Sequence, residues 1–160
     1  FKEFNLAIKY KPYYADAYSN RGNLLAQQGK IQEAIADFNR AIELRPHADA
    51  YFNRANIYAQ QGALEQAVED YSESLALKKS ADAFTNRAFA YLKMNSTQLA
   101  LNDLNNAIVI KPNSDRAYFL MGMSYRFEQK RAKACSAFQR ASSLGSENAK
   151  AAYRDYCLNQ

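Results

Sequence analysis

The sequence has few of the residues on which catalytic and metal sites depend. Its 160 residues include one histidine, His47, and two cysteines, Cys135 and Cys157. The cysteine spacing matches no metal or redox motif, so we expect two reduced thiols and no bound metal or other cofactor. Neither a glycine-rich phosphate loop nor a nucleophile elbow is present. These absences predict a protein that is not an enzyme and has no small-molecule substrate.

Long apolar runs are also missing. No window approaches the roughly 18 to 20 apolar residues of a membrane-spanning helix. No charged segment followed by an apolar one resembles a secretory signal. Together with the expected reduced thiols, this predicts a cytoplasmic location. Because the chain begins at Phe1 without a methionine, an upstream leader stays open.

The net charge of +5 is unevenly distributed. Residues 1–80 carry ten basic and ten acidic side chains, whereas residues 81–160 carry eleven and six. Much of the excess lies in the segment RFEQKRAKACSAFQR, residues 126–140. Such a segment could meet an acidic peptide, nucleic acid or a membrane surface, but a solvated helix end has the same composition. Both interpretations stay open.

What the chain does contain is a repeat. An aromatic residue recurs at steps of 33, 33 and 34 positions, at Tyr18, Tyr51, Phe84 and Tyr118. A glycine or alanine follows each aromatic by four positions, and an alanine follows it by sixteen. Small and large residues at helical spacing predict pairs of closely packed helices. The first helix of each pair should end eleven positions after the aromatic, where Gly29, Gly62 and Asn95 tolerate a left-handed backbone and the fourth repeat has Gln129.

At these positions the sequence resembles the tetratricopeptide repeat family, a family of repeated helix pairs of this length. The resemblance implies an all-α fold, a right-handed superhelical solenoid of antiparallel helix pairs. Four complete repeats are expected, at 15–47, 48–80, 81–114 and 115–148. Residues 1–14 match the second helix of a preceding repeat, and residues 149–160 a capping helix or the start of a further repeat. A start in mid-repeat suggests an excerpt of a longer array.

Three arginines recur with the repeat, and each lies sixteen residues before an aspartate. The pairs are Arg21 with Asp37, Arg54 with Asp70, and Arg87 with Asp103. Residues equidistant from the turn of an antiparallel hairpin face each other, so we expect three ion pairs; a generic charged face is the alternative. In the fourth repeat both residues change together, to Met121 and Ala137, which predicts an apolar contact. Partly exposed pairs would contribute on the order of 0–1 kcal/mol, so we expect them to set the register of the helices.

A polar stripe runs along the first helices, about 200° around from the aromatic residue. In the first two repeats it reads Asp16, Asn20, Asn23, Gln27 and Asp49, Asn53, Asn56, Gln60. In the third and fourth repeats it reads Asp82, Asn86, Phe89, Lys93 and Arg116, Leu120, Met123, Phe127. First helices line the concave groove of tetratricopeptide arrays, so the resemblance places this stripe in a groove.

Asparagine is a weaker helix former than Glu, Lys or Gln, but its amide both donates and accepts hydrogen bonds, as a peptide group does. An Asn ladder of this kind is similar to those in the peptide grooves of several tetratricopeptide adaptors. The candidate partner-binding residues are Asp16, Asn20, Asn23, Asp49, Asn53, Asn56, Asn86, Phe89, Arg116, Leu120, Met123 and Phe127. A polar face bonded only to water or to neighbouring helices is one alternative. A terminal helix from Ala149, or a further repeat, that covers the apolar residues of the fourth repeat is another.

The leading interpretation is a non-catalytic scaffold or adaptor that binds a protein or peptide ligand in the groove. A substrate-recruiting segment of a larger enzyme would use the same surface. Nucleic-acid binding through the basic C-terminal half is the weaker alternative, because most tyrosines occupy packing positions and are not free to stack on bases. End-to-end self-association also stays open.

Overall fold

The computed structural model describes residues 2–158, and these residues form ten α-helices, a π-helical segment and no strand. Phe1, Asn159 and Gln160, which the predicted segments 1–14 and 149–160 include, lie outside the described residues. The α-helices are α1 (Lys2–Tyr10), α2 (Ala15–Gln27), α3 (Ile31–Leu44), α4 (Ala48–Gln61), α5 (Leu64–Leu77), α6 (Ala81–Lys93), α7 (Thr97–Ile110), α8 (Asp115–Phe127), α9 (Arg131–Ser143) and α10 (Glu147–Tyr153). The π-helical segment is Arg154–Leu158.

The chain divides into two compact units, Phe1–Lys79 and Ser80–Gln160. In the first unit, α2 packs against α3 and α4 against α5 as helical hairpins, and α3 joins the two hairpins by packing on α4. In the second unit, α6 with α7 and α8 with α9 form the same hairpins, α7 packs on α8, and α10 packs on α9. The predicted all-α solenoid of hairpins is confirmed in each unit. The boundaries of individual repeats stay predictions.

The turn inside each hairpin is set by one residue in the left-handed region of the backbone. Gly29, Gly62, Asn95 and Gln129 have φ angles of 77°, 80°, 58° and 58°. In all four turns the next backbone N–H donates to the carbonyl five residues earlier, at 2.8–2.9 Å. This bond closes the C-terminus of the first helix. The predicted turn positions are therefore confirmed, and Gln129 adopts the left-handed conformation although its Cβ makes it costly.

The helices of the first and fourth hairpins approach closely because a glycine faces a phenylalanine. Phe38 and Phe138 are fully buried. A Cβ placed on Gly22 would lie 2.9 Å from the Phe38 ring, and one placed on Gly122 would lie 2.4 Å from the Phe138 ring. Neither position has room for a side chain, so each glycine fixes the spacing of its two helices.

Three ion pairs join the first and second helices of the first three hairpins, as predicted. Each aspartate accepts two hydrogen bonds, at 2.7–2.8 Å, from the Nε and Nη2 of its arginine. The aspartate side chains are less exposed than expected, at 9%, 7% and 2% for Asp37, Asp70 and Asp103. Hydrogen bonding to Asp70 raises the pKa of Arg54 above its ordinary value. The expected energy of these pairs stays a prediction, but the burial of each carboxylate means that removing one partner would leave a mostly buried charge.

The fourth hairpin has no counterpart of this ion pair. Met121 and Ala137 occupy the two positions, are buried, and line the same cavity. A direct apolar contact between the two residues stays a prediction. Met121 and Ala137 leave space between the two helices that the ion pair occupies in the other hairpins.

The prediction of two reduced thiols is wrong. Cys135 of α9 and Cys157 of the π-helical segment form a disulfide, with their Cα atoms 5.7 Å apart. The two residues are 22 positions apart in the sequence, a spacing that carries no motif. They meet because α10 turns back along α9, and Arg131 supports the contact by donating to the Cys157 carbonyl at 3.5 Å.

Candidate functional site

Three of the asparagines predicted to bind a partner lie on the first helices of the first unit without a partner inside the protein. Asn20 and Asn23 of α2 are exposed, and Asn53 of α4 is half-buried. Within residues 2–158 their side chains form no hydrogen bond. Since α2 and α4 are in contact, these amides belong to one surface of the first unit. Each amide retains a donor and an acceptor for a ligand.

Asn56 differs from Asn23, although the two hold the same position in their repeats. The Asn56 Oδ1 accepts a hydrogen bond from the Tyr71 hydroxyl at 2.6 Å, and Tyr71 is 1% exposed. A buried tyrosine hydroxyl needs a hydrogen-bond partner. In the first hairpin the position of Tyr71 is held by Phe38, which has no hydroxyl group and needs no hydrogen-bond partner. Asn56 therefore serves the packing of its own hairpin through its carbonyl oxygen.

Asp16 is also engaged within the protein. Its Oδ1 accepts hydrogen bonds from the His47 Nε2, at 2.8 Å, and from Arg45. The hydrogen bond from His47, followed by that from Arg45, lowers the pKa of Asp16 below its ordinary value against the opposing effect of burial. The other His47 ring nitrogen accepts from the Ala50 N–H at 3.3 Å and caps α4. Asp49, the corresponding residue of the next repeat, is exposed.

In the second unit, Asn86 of α6 and Arg116 of α8 are joined by a hydrogen bond. The Arg116 Nη1 donates to the Asn86 Oδ1 at 2.7 Å. This bond is exposed and connects two residues that the sequence placed in the binding surface. A ligand that used the Asn86 carbonyl would have to compete with Arg116.

Four apolar residues of the predicted stripe come together around one cavity between α6 and α8. Phe89, Leu120, Met123 and Phe127 line a space of about 300 Å³, together with Leu92 and Lys93. We call this space the apolar pocket. Leu120 forms a buried part of its wall, whereas Phe89, Met123 and Phe127 are 41%, 39% and 68% exposed. None of the lining residues belongs to α10, which packs on α9. Large exposed apolar side chains grouped in this way are typical of partner sites.

Residues 2–158 contain no group of three or more His, Cys, Asp or Glu side chains that could hold a metal ion. No helix in that range combines the length and the apolar character that crossing a membrane requires.

Comparison with known families accounts for the repeated hairpins. A model of the tetratricopeptide repeat matches residues 15–47 and 48–80, and a second model of this repeat matches residues 116–143, together more than half of the chain. The chain belongs to the tetratricopeptide repeat family. Repeats of this family build scaffolds for protein interactions, and tetratricopeptide proteins are in general non-catalytic.

Solved tetratricopeptide structures have the same fold. YrrB, described as a tetratricopeptide repeat protein with an unusual peptide-binding site, superposes with a TM-score of 0.85 at 25% identity, over 98% of this chain and 84% of YrrB. MamA superposes with a TM-score of 0.82 at 23% identity, over 92% of this chain and 87% of MamA. The human mitochondrial import receptor subunit TOM70 is 42% identical over 45 residues. That match covers 28% of this chain and 7% of the length of TOM70.

Proposed function

We propose that this tetratricopeptide chain is a scaffold that binds peptide segments of partner proteins on the first helices of each of its two units. The observation that carries the proposal is the apolar pocket, because Phe127 and Met123 remain exposed beside a cavity large enough for an apolar side chain. Side chains of this kind, anchored in pockets, supply most of the binding energy of peptide segments. The peptide-binding site of YrrB, which has the same fold, is consistent with this role.

The exposed amides of the first unit supply the second part of the proposal. Asn20 and Asn53 are 33 residues apart, at the same position of successive first helices, and neither side chain forms a hydrogen bond within residues 2–158. They can hold the backbone of a peptide with little demand on its sequence. The apolar pocket of the second unit is proposed as a separate surface, which selects a side chain. Asn56 and Asn86 are weaker members of this set, because Tyr71 and Arg116 already use their carbonyl oxygens.

Selection from a random peptide library, followed by affinity measurements on variants, tests the proposal. A peptide that binds the second unit should bind at least about tenfold more weakly to Met123→Glu, which puts a charge at the exposed edge of the apolar pocket. A peptide that binds the first unit should bind more weakly to the double variant Asn20→Ala/Asn53→Ala. The matched control is Asn105→Ala/Asn106→Ala, two exposed asparagines of the second helix α7. If selected peptides bind Met123→Glu and Asn20→Ala/Asn53→Ala as tightly as the parent chain, the proposed surfaces are wrong.

The predicted cytoplasmic location stays a prediction, and the disulfide bears on it directly. Disulfides persist in oxidising compartments and are rare in the cytosol, where thiols are kept reduced. Rapid alkylation of thiols in intact cells distinguishes the two cases. Labelling of both Cys135 and Cys157 would support a cytoplasmic location, and the absence of label would contradict it.

A further inference from the structure

The fourth hairpin contains a second cavity that shares no lining residue with the apolar pocket. This cavity has a volume of about 550 Å³ and is lined by residues of α8 and α9, and we call it the basic cavity. The residues of interest in its lining are Tyr118, Met121, Tyr125, Lys133, Ala137 and Arg140. Met121 and Ala137 are 8% and 7% exposed, and Lys133 and Arg140 are exposed on α9. The cavity thus has an apolar floor and cationic side chains beside it.

The second hairpin shows which side chains lie at the position that corresponds to the basic cavity. In the second hairpin the Arg54 guanidinium lies 5.7 and 5.8 Å from the ring centroids of Tyr51 and Tyr58, and its ion pair with Asp70 lies beside a smaller cavity of about 350 Å³. Tyr118 and Tyr125 hold the corresponding ring positions in the fourth hairpin. The guanidinium and the carboxylate between them are replaced by Met121 and Ala137. The two aromatic rings that flank the guanidinium in the second hairpin are therefore present in the fourth hairpin, whereas the arginine and the aspartate that would fill the space between them are not.

In the fourth hairpin the cations beside the tyrosine rings lie on the second helix, α9, whereas in the second hairpin the arginine lies on the first helix, α4. The Lys133 Nζ lies 5.6 Å from the Tyr125 ring centroid, and the Arg140 Cζ lies 5.7 Å from that of Tyr118. Contact with an aromatic face holds each cation at the mouth of the cavity. Among the described residues neither cation has a carboxylate partner, and the one side-chain hydrogen bond of Arg140 is the bond that its Nη2 donates to the Asn113 Oδ1 at 3.4 Å.

The charge of α9 differs from that of the other second helices. Arg131–Ser143 contains three basic residues and no acidic one, whereas α3 and α5 contain three and four acidic residues. Glu128, the one acidic residue of segment 126–140, is paired with Lys130 at 2.9 Å. Among the described residues, no ion pair joins Arg126, Arg131, Lys133 or Arg140 to a carboxylate. The segment therefore keeps a positive charge that complements an acidic ligand.

We propose that the basic cavity is a second binding site, which takes an acidic segment of a partner protein. An aliphatic side chain of that segment enters the cavity and contacts Met121 and Ala137. Flanking Asp or Glu carboxylates pair with Lys133 and Arg140. The site lies between α8 and α9, so it can be occupied independently of the apolar pocket between α6 and α8.

Nucleic acid fits the same cations less well. A phosphate backbone has no apolar group to fill a cavity with a methionine and an alanine at its floor. Bases would need free aromatic faces for stacking, but Lys133 and Arg140 already cover faces of Tyr125 and Tyr118, which are half-buried. The observations therefore favour a peptide, and an oligonucleotide becomes the competing probe in the test.

Fluorescence anisotropy with a labelled acidic peptide, Gly-Glu-Glu-Leu-Glu-Glu-Leu-Glu-Glu-Gly, tests this site directly. The decisive variant is Met121→Arg/Ala137→Asp, which installs the ion pair of the other hairpins, fills the cavity and leaves the net charge unchanged. We expect it to fold and to bind the peptide at least about tenfold more weakly. Lys133→Ala/Arg140→Ala, on the exposed rim, should weaken binding by a similar factor and does not depend on repacking the core.

Two controls separate this site from general charge attraction and from the proposed groove. Lys78→Ala/Lys79→Ala removes two exposed cations elsewhere, and Asn20→Ala/Asn53→Ala alters the first unit; both should bind the peptide as the parent chain does. Unchanged binding by folded Met121→Arg/Ala137→Asp would overturn the cavity as the site. Tighter binding of a single-stranded dodecanucleotide than of the peptide, lost in Lys133→Ala/Arg140→Ala, would overturn the choice of a protein partner.

Discussion

The ion pair of the second hairpin allows a quantitative test of how the helices are held together. Asp70 is 7% exposed and accepts two hydrogen bonds of 2.7 Å from Arg54, which is itself 17% exposed. Asp70→Ala would leave the guanidinium mostly buried without its carboxylate. Removing one partner of a buried pair costs about 3–5 kcal/mol. Because Glu43 and Glu69 line the cavity beside Arg54, we expect a loss somewhat below this range, about 2–4 kcal/mol.

A double-mutant cycle at this pair consists of the single variants Arg54→Met and Asp70→Ala and the double variant Arg54→Met/Asp70→Ala. The double variant copies Met121 and Ala137 of the fourth hairpin into the second hairpin, and it removes both charges together. It should be less destabilised than the sum of the two single variants, with a coupling of about 1.5–3 kcal/mol. Urea unfolding followed by circular dichroism gives the free energy of unfolding. Amide hydrogen exchange of α4 and α5 shows whether the loss is local to that hairpin.

The control for this cycle is the exposed pair of Arg40 and Glu43, joined at 3.0 Å on α3. The free energies of unfolding of Arg40→Met and Glu43→Ala should be additive in the double variant, because each exposed side chain stays hydrated when its partner is removed. The reasoning is refuted if the Arg54 and Asp70 variants are simply additive. Additivity would mean that burial of the carboxylate contributes nothing beyond what a surface pair does.

Three further changes have defined outcomes. Gly122→Ala should lower the free energy of unfolding by about 1–3 kcal/mol, because its Cβ would lie 2.4 Å from the Phe138 ring; unaltered urea unfolding would contradict this. Gln129→Gly should raise it by about 0.5–1 kcal/mol, since φ is 58° at this position, and a lower urea midpoint would be the opposite result. The lowered pKa of Asp16 stabilises the fold above an ordinary aspartate pKa of about 4, and this contribution is lost as the pH falls through the lowered value. Asp16→Asn should therefore lose stability at pH 7 and show a weaker further decline towards pH 3, whereas Asp49→Asn should unfold like the parent chain at both pH values.

Features that depend on the repeat alone could be predicted from the sequence. Gly29, Gly62 and Asn95 mark the turns because few residues tolerate a left-handed backbone. Once the turn is known, equal distances from it pair each arginine with its aspartate. The turns and the ion pairs depend only on local geometry, and the structure confirms both.

Features that depend on one particular neighbour were missed. Asn23 and Asn56 hold the same position in their repeats, but only Asn56 meets a tyrosine hydroxyl. A tyrosine in a packing position that is elsewhere Phe or Leu was the available signal, because its hydroxyl must find a partner. The hydrogen bond between Asp16 and His47 was not predicted, because no rule of the repeat places His47 beside Asp16. For the disulfide no signal existed, since it depends on how α10 turns back along α9.

The disulfide has a consequence for the mobility of the last described helix. Residues 135–157 form a covalent ring that contains the end of α9, the turn at Gly145 and all of α10. When α10 detaches from α9, it cannot diffuse away, and its return is an intramolecular step at high effective concentration. A cut inside the ring would leave the two fragments joined until the bond is reduced. Reduction would therefore turn a brief opening of α10 into a lasting one.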